Sequence, residues 1–246
     1  MIPKKIHYCW FSGDEKPELV KRCIDSWHRF LPDYTVVCWD GNSFDWNSVD
    51  YVREAMEAKA YAHASDYIRL YALYTQGGIY LDSDVEVFRS FDELLSNRFF
   101  SGVEQFPMYY SRHKLSQICN HVQAAIMGGE ANHPYLKECL DKYNKLHFIK
   151  EDGQYDYGEI PERITEVLEK YGFVRENRLQ KLKEGITIYP NDIIANNVDK
   201  KVPERCLAFH WGVKSWEPNG ERGKLFNFCW NHDLMGLYHW LERIIH

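Results

Sequence analysis

The first ninety residues switch between two hydrophobic periods. Residues 5–11 (Lys-Ile-His-Tyr-Cys-Trp-Phe) form an apolar and aromatic run that predicts a strand almost at the first residue. Asp14 to Pro17 resembles a helix start, and Leu19, Val20, Cys23, Ile24, Trp27 and Phe30 then recur at helical spacing. Pro32-Asp33 breaks that helix. Thr35 to Trp39, β-branched and aromatic, predicts a second strand. Tyr51 to Gln76 predicts one long helix, stopped by Gly77-Gly78, and Ile79-Tyr80-Leu81 a short buried strand. Strand, helix, strand, helix, strand in this order predicts a mostly parallel sheet flanked by helices.

The second half is less regular. Residues 103–121 are polar and aromatic and read as a loop or small insertion. Ala124 to Gly128 is a short apolar run ending in Gly128-Gly129. Pro134 to Leu146 and Pro161 to Tyr171 predict helices; Gly185 to Tyr189 and Cys206 to Trp211 predict strands. Leu234, Leu237, Tyr238, Leu241, Ile244 and Ile245 make a closing amphipathic helix, whose polar face is not basic, so it is expected to dock on the core. With no repeat and no Pro/Gly/Ser linker, residues 1–246 read as one domain.

Composition narrows the function classes. Of 246 residues, 45% are apolar and 27% charged, which excludes a disordered or collagen-like chain. Lys plus Arg is 30 against 36 Asp plus Glu, a net charge of −6, which argues against a nucleic-acid partner. Seven scattered cysteines with no CxxC pair argue against a zinc ribbon and read as free thiols in a reducing compartment. The N-terminus has no signal-peptide pattern and no apolar run approaches 18 residues, so a cytoplasmic location is expected.

The chemistry centres on Gly77-Gly78-Ile79-Tyr80-Leu81-Asp82-Ser83-Asp84. Asp82 falls where a buried strand should end, and open α/β sheets bind ligands at the carboxyl ends of their strands. Carboxylates at i and i+2 of an extended segment point the same way and repel unless a positive group lies between them. A hard divalent cation, Mg²⁺ or Mn²⁺, answers that need and keeps positions open for phosphate oxygens. A bare Asp-x-Asp also caps turns, and the preceding Gly-Gly and apolar strand are what sharpen the signal here. An aspartyl-phosphate phosphatase, with Asp82 as nucleophile, shares the pattern, but Glu86 stands where such enzymes carry Thr or Val. Upstream, Asp66 and Arg69 share one helical face with apolar Leu70 and Leu73. They read either as a structural salt bridge or as a carboxylate and guanidinium for sugar and phosphate oxygens.

These motifs together resemble a known family. Ser65-Asp66-Tyr67-x-Arg69 followed by Gly77-Gly78-Ile79-Tyr80-x-Asp82-x-Asp84 is similar to glycosyltransferase family 32, which includes capsular polysaccharide glycosyltransferases and yeast mannosyltransferases. Ile2-Pro3-Lys4-Lys5-Ile6-His7-Tyr8-x-Trp10-Phe11, Ser26-Trp27, Leu31-Pro32-Asp33-Tyr34 and His210-Trp211-x-x-x-Ser215-Trp216 extend the resemblance from residue 2 to about residue 216.

The resemblance implies a GT-A fold, a Rossmann-like α/β nucleotide-sugar-binding architecture with a mixed central sheet flanked by helices. Residues 1–90 would bind the nucleotide-sugar, 91–216 would form the acceptor side and closing metal motif, and 217–246 the C-terminal helix. It implies a UDP- or GDP-sugar donor, a saccharide or lipid-linked oligosaccharide acceptor with peripheral membrane contact, and retention at the anomeric carbon. Asp82 and Asp84 would hold the metal, with His210 or Ser215 completing its shell. Asp66 and Arg69 would hold the donor sugar. Trp10, with His7 nearby, would face the nucleobase; Asp82 and Ser83 would touch the donor, and Trp216 would aim its indole N–H at the diphosphate. Residues 103–121 and 151–160 are candidate lids. A non-catalytic carbohydrate-binding protein would also explain the aromatic load, but not the four charged residues together.

Overall fold

The computed structural model describes residues 1–111, 114–197 and 201–212. One compact unit comprises residues 1–105 and 120–212. A second unit, residues 106–119 with 213–246, contains the outer parts of two long strands. The predicted C-terminal helix, Ser215 and Trp216 lie outside the described residues.

The main sheet is mixed and seven-stranded. Strands β1 (Lys5–Cys9), β2 (Thr35–Trp39) and β3 (Gly78–Leu81) form its parallel half, with β1 between the other two. Beyond β3 lie β6 (Lys114–Gly129), antiparallel to it, then β5 (Phe99–Ser111), β8 (Ile186–Tyr189) and β7 (Gln180–Lys181). A second sheet of three strands joins β4 (Val85–Val87), β10 (Ala208–His210) and β9 (Ile194–Asn196), with β4 antiparallel to β10.

Alternate residues of β3 feed the two faces of the main sheet. Tyr80 packs with Trp39, Tyr67, Leu70 and Met127 on one face; Ile79 and Leu81 pack with Ile6, Trp27, Phe91 and Phe100 on the other. The helix α1 (Glu18–Phe30) buries Val20, Cys23, Ser26 and Trp27 against the second face. It also clamps β4: the Trp27 indole donates to the Val85 carbonyl at 2.8 Å, and Ser26 Oγ accepts from Val87 N at 2.9 Å.

Two expectations are corrected here. The long helix over 51–76 is two, α2 (Asp50–Glu57) and α3 (Tyr61–Gln76). Lys59 takes φ 56° between them, and Ala60 N donates to Ala55 O at 2.8 Å, a helix-closing bond of the Schellman kind. Of the expected loop over 103–121, residues 103–111 are an arm of β5 and residues 114–121 an arm of β6. Pro107 and the polar composition masked the strand. The helices α4 (Pro134–Tyr143) and α5 (Ile160–Glu169) end slightly earlier than predicted. The short strands β4, β7 and β9 carry too few residues to show a period.

Gly78 has a steric reason. Its φ is +114°, and a Cβ there would lie 2.6 Å from the Lys5 carbonyl oxygen and 3.2 Å from His7 Nε2. Only glycine lets β3 start this close to β1.

Candidate active site

The turn after β3 is fixed by backbone bonds before any side chain is considered. Asp82 N donates to Ala125 O of β6 at 2.9 Å, and Val85 N donates to Asp82 O at 3.0 Å. This turn leads into β4, whose partner β10 sets His210 opposite Val85. Trp211 N then donates to the Asp84 carbonyl at 3.1 Å. Through this pairing, a histidine 126 residues away in sequence reaches the two aspartates. His210 Nε2 is 3.4 Å from Asp84 Oδ1 and 4.0 Å from Asp82 Oδ2. One ligand atom from each of Asp82, Asp84 and His210 lies within 4.8 Å of the others.

Arg69 of α3 lies behind this triad, 5% exposed. A guanidinium offers five N–H donors. Nε donates to Ser65 O at 3.2 Å. Nη1 donates to Ala124 O at 3.0 Å and faces Asp82 Oδ2 at 3.4 Å. Nη2 donates to Ser65 Oγ at 2.9 Å and pairs with Asp66 Oδ1 at 3.1 Å. Five donors meet five acceptors, and the cation also sits over the Tyr80 ring, 4.8 Å from its centroid. All its N–H groups thus face acceptors of this chain, the Asp66 and Asp82 carboxylates among them, which is the salt-bridge arrangement of the two readings. Tyr80 OH donates to Asp82 Oδ1 at 2.9 Å, so that carboxylate is held from two sides.

Burial and charge compete across the site. Burial pushes the Asp66 carboxyl up to about 7, although Arg69 beside it pulls the other way. Burial likewise pushes Glu104 on β5 up to about 7, opposed by His210. For His210, burial disfavours the imidazolium, but Asp84, Asp82 and Glu104 outweigh it and raise the pKa to about 9. A proton on His210 thus balances the paired carboxylates where a cation would otherwise stand.

The other expected residues fare differently. Trp10, just past the end of β1, is partly buried and donates its indole N–H to Asp14 O at 3.0 Å. Lys16 Nζ stands over its ring, 5.3 Å from the centroid. Ser83 lies half-buried in the turn between the aspartates. His7 is fully buried, and both ring nitrogens are engaged within the protein. The Trp39 indole donates to Nδ1 at 3.1 Å, so Nε2 carries the hydrogen and donates to Gly77 O at 2.9 Å. Burial accordingly lowers the His7 pKa to about 4. His7 ties β1, β2 and the Gly-Gly turn together.

Sequence reasoning missed Tyr80, Ser65, Glu104 and Glu86. The Glu86 carboxylate accepts from the Trp211 indole at 3.0 Å and from Arg22 at 3.1 Å, bracing β10 against β4 and α1. Tyr80 and Ser65 lie inside the motifs already singled out, so their neighbours were a signal. Glu104 carries none, because a lone carboxylate in a strand of mixed polarity is ordinary.

A model of the family described as capsular polysaccharide synthesis protein matches residues 1–200, and the chain belongs to that family. Inositol phosphoceramide mannosyltransferase 3 of Schizosaccharomyces pombe is 31% identical over 154 residues, covering 60% of this chain and 38% of that protein. The chain thus spans well under half the length of this relative. An uncharacterized glycosyltransferase of Acanthamoeba polyphaga mimivirus is 26% identical over 244 residues, covering 92% of this chain and 88% of that one. Among solved structures, the PaToxG glycosyltransferase superposes with a TM-score of 0.45 at 21% identity, over 69% of each chain. The galactosyltransferase LgtC, in complex with donor and acceptor sugar analogues, gives 0.38 at 12% identity, over 91% and 94%. The protein is thus an α/β member of this family, built on a mixed seven-stranded sheet.

Proposed function

We propose that this protein is a glycosyltransferase of the GT-A type, which moves a sugar from a UDP- or GDP-linked donor to a saccharide or lipid-linked oligosaccharide acceptor, with Mn²⁺ or Mg²⁺ and with retention at the anomeric carbon. The observation that carries the reading is the convergence of Asp82, Asp84 and His210 from two separate chain segments. Two carboxylates and an imidazole suit a manganese-type cation, and Mg²⁺ would rely chiefly on the carboxylates. A cation bound there supplies Lewis-acid neutralisation of diphosphate charge.

The chain's own residues do the rest. Asp84 and His210 bind the cation. Asp82 meets either the cation or the donor, with its rotamer set by Tyr80 and Arg69. Asp66, held by Arg69, offers a buried carboxyl for sugar hydroxyls. Trp10 presents an aromatic face for the nucleobase at the strand end. Trp216 aims its indole N–H at the diphosphate, and Ser215 is a further candidate metal ligand. Retention by double displacement would need a carboxylate under the anomeric carbon; in same-face attack the leaving phosphate itself takes the acceptor proton, and that scheme requires no protein base.

The family's description supports a place in surface-polysaccharide assembly. Six unpaired cysteines among the described residues support a cytoplasmic site of action. A phosphatase reading would need Asp82 as a free nucleophile, yet both its oxygens face donors. Calorimetry tests the proposal. UDP or GDP should bind only with Mn²⁺ present and not to Asp84→Ala. Nucleotide binding equally tight in a chelator would exclude the metal site.

A further inference from the structure

Near the α3 side of the site, an aromatic side chain stands exposed on a fastened loop. Residues 144–159 join α4 to α5 and fold back as a small hairpin, with Lys150 N donating to Gln154 O at 2.8 Å and Asp156 N to Phe148 O at 2.7 Å. The hairpin is pinned at both ends. The Glu54 carboxylate accepts from His147 Nδ1 at 2.8 Å and Ile149 N at 3.0 Å. Asp156 pairs with Arg163 and accepts from Gly158 N at 3.1 Å. Within the candidate lid over 151–160, Asp156 and Gly158 are held by these contacts.

Tyr157 projects from this mount 67% exposed. Its ring is supported from beneath by His63, at 5.8 Å between centroids, and by Tyr155 at 6.0 Å. Phe148, fully buried, underlies both tyrosines and His63. A tyrosine ring held in place by aromatic neighbours offers a large contact face and loses little conformational entropy on meeting a ligand.

The support also fixes where the ledge lies. His63, Asp66 and Arg69 occupy successive turns of one α3 face, so His63 and Arg69 are about 9 Å apart along the axis. His63 Nδ1 is 3.9 Å from Asp66 Oδ2, has no hydrogen-bond partner, and lies between the ledge and the Asp66 carboxylate. At the other end of the same face, Arg69 touches Asp82 of the metal triad. The order along the helix is ledge, sugar-holding carboxylate, metal triad.

We propose that Tyr157, seated on His63, is the stacking platform for the acceptor saccharide, which meets the donor sugar across Asp66. A pyranose has an apolar C–H face that suits a tyrosine ring, and hydroxyl edges that suit the polar groups beside it. This inference rests on the donor-site reading above for its placement beside Asp66, while the platform itself can be tested separately.

The test is saturation-transfer NMR with a panel of methyl α- and β-pyranosides of glucose, galactose, mannose and N-acetylglucosamine, in the presence of UDP or GDP and Mg²⁺. Saturation of aromatic protons should reach the ring C–H protons of at least one glycoside. The signal should be lost in Tyr157→Ala and kept in Tyr157→Phe, whose ring is intact. In transfer assays the acceptor KM of Tyr157→Ala should rise at least about tenfold. An unchanged signal in Tyr157→Ala, or no transfer to any glycoside, overturns the proposal. Nucleotide calorimetry on the same samples separates the two readings: failed nucleotide binding with a Tyr157-dependent glycoside signal removes the donor reading and leaves the platform.

Discussion

His210 Nε2 stands 3.4 Å from Asp84 Oδ1, across the junction of β10 with the β3–β4 turn. Without a cation, Asp84 and Asp82 raise the His210 pKa to about 9 against burial, so the imidazole carries a proton at neutral pH. Metal must displace that proton, so Mn²⁺ affinity should rise with pH, by up to roughly tenfold per unit, and level off above about 9. Calorimetry at pH 7 in buffers of different ionisation heat should show about one proton released per metal bound. His210→Ala should bind more weakly and lose most of this pH dependence.

Arg69 is a buried cation between two carboxylates, and its removal leaves both uncompensated. Arg69→Met should lower stability by about 3–5 kcal/mol, read by denaturant unfolding. Arg69→Lys keeps the charge but not the five-donor fork, so it should retain most of the stability and lose kcat more than donor KM. Such a split separates a positioning role from direct donor contact, which would move KM first.

His7 makes stability depend on pH. Its folded pKa, about 4, lies below the ordinary 6.5, so the unfolded chain takes up the proton first. The stabilisation from neutral His7 is complete above about 6.5, drains as pH falls, and is gone near 4, a change of about 3 kcal/mol. Asp66 and Glu104 act in the opposite sense, so the comparison must be a difference. The Tm gap between wild type and His7→Gln should narrow between pH 7 and pH 4.

Gly78→Ala should fail for steric reasons, because its Cβ would meet the Lys5 carbonyl at 2.6 Å. The variant should be among the least stable single substitutions, with far-UV circular dichroism showing a lower Tm. Gly13→Ala, where nothing lies within 4 Å, is the control for positive φ alone.

The parts of this fold that show a clean period were legible in the sequence. β1, α1, β2 and β3 each carry one, and Gly77-Gly78 marks the turn that places Asp82 and Asp84. His210 was legible only through its motif, since no local pattern ties it to residues 82–84; the β4–β10 pairing does. Arg69 was legible as a candidate with two readings, and only three dimensions reveal that Ser65, Ala124, Asp66 and Asp82 face all its donors. The same holds for His7, whose partners Trp39 and Gly77 are 32 and 70 residues away. Pro107 hid β5, and the left-handed turn at Lys59 carries no glycine to announce it.

The measurement that bears most directly on the account is donor turnover with Mn²⁺ across UDP-glucose, UDP-galactose, UDP-N-acetylglucosamine and GDP-mannose, with Asp84→Ala and a chelated sample beside the wild type. The account predicts that at least one donor releases its nucleotide in the wild type alone, and that both controls are silent. Turnover that survives chelation and Asp84→Ala, or four donors left intact and unbound, would contradict a metal-dependent transferase built on Asp82, Asp84 and His210.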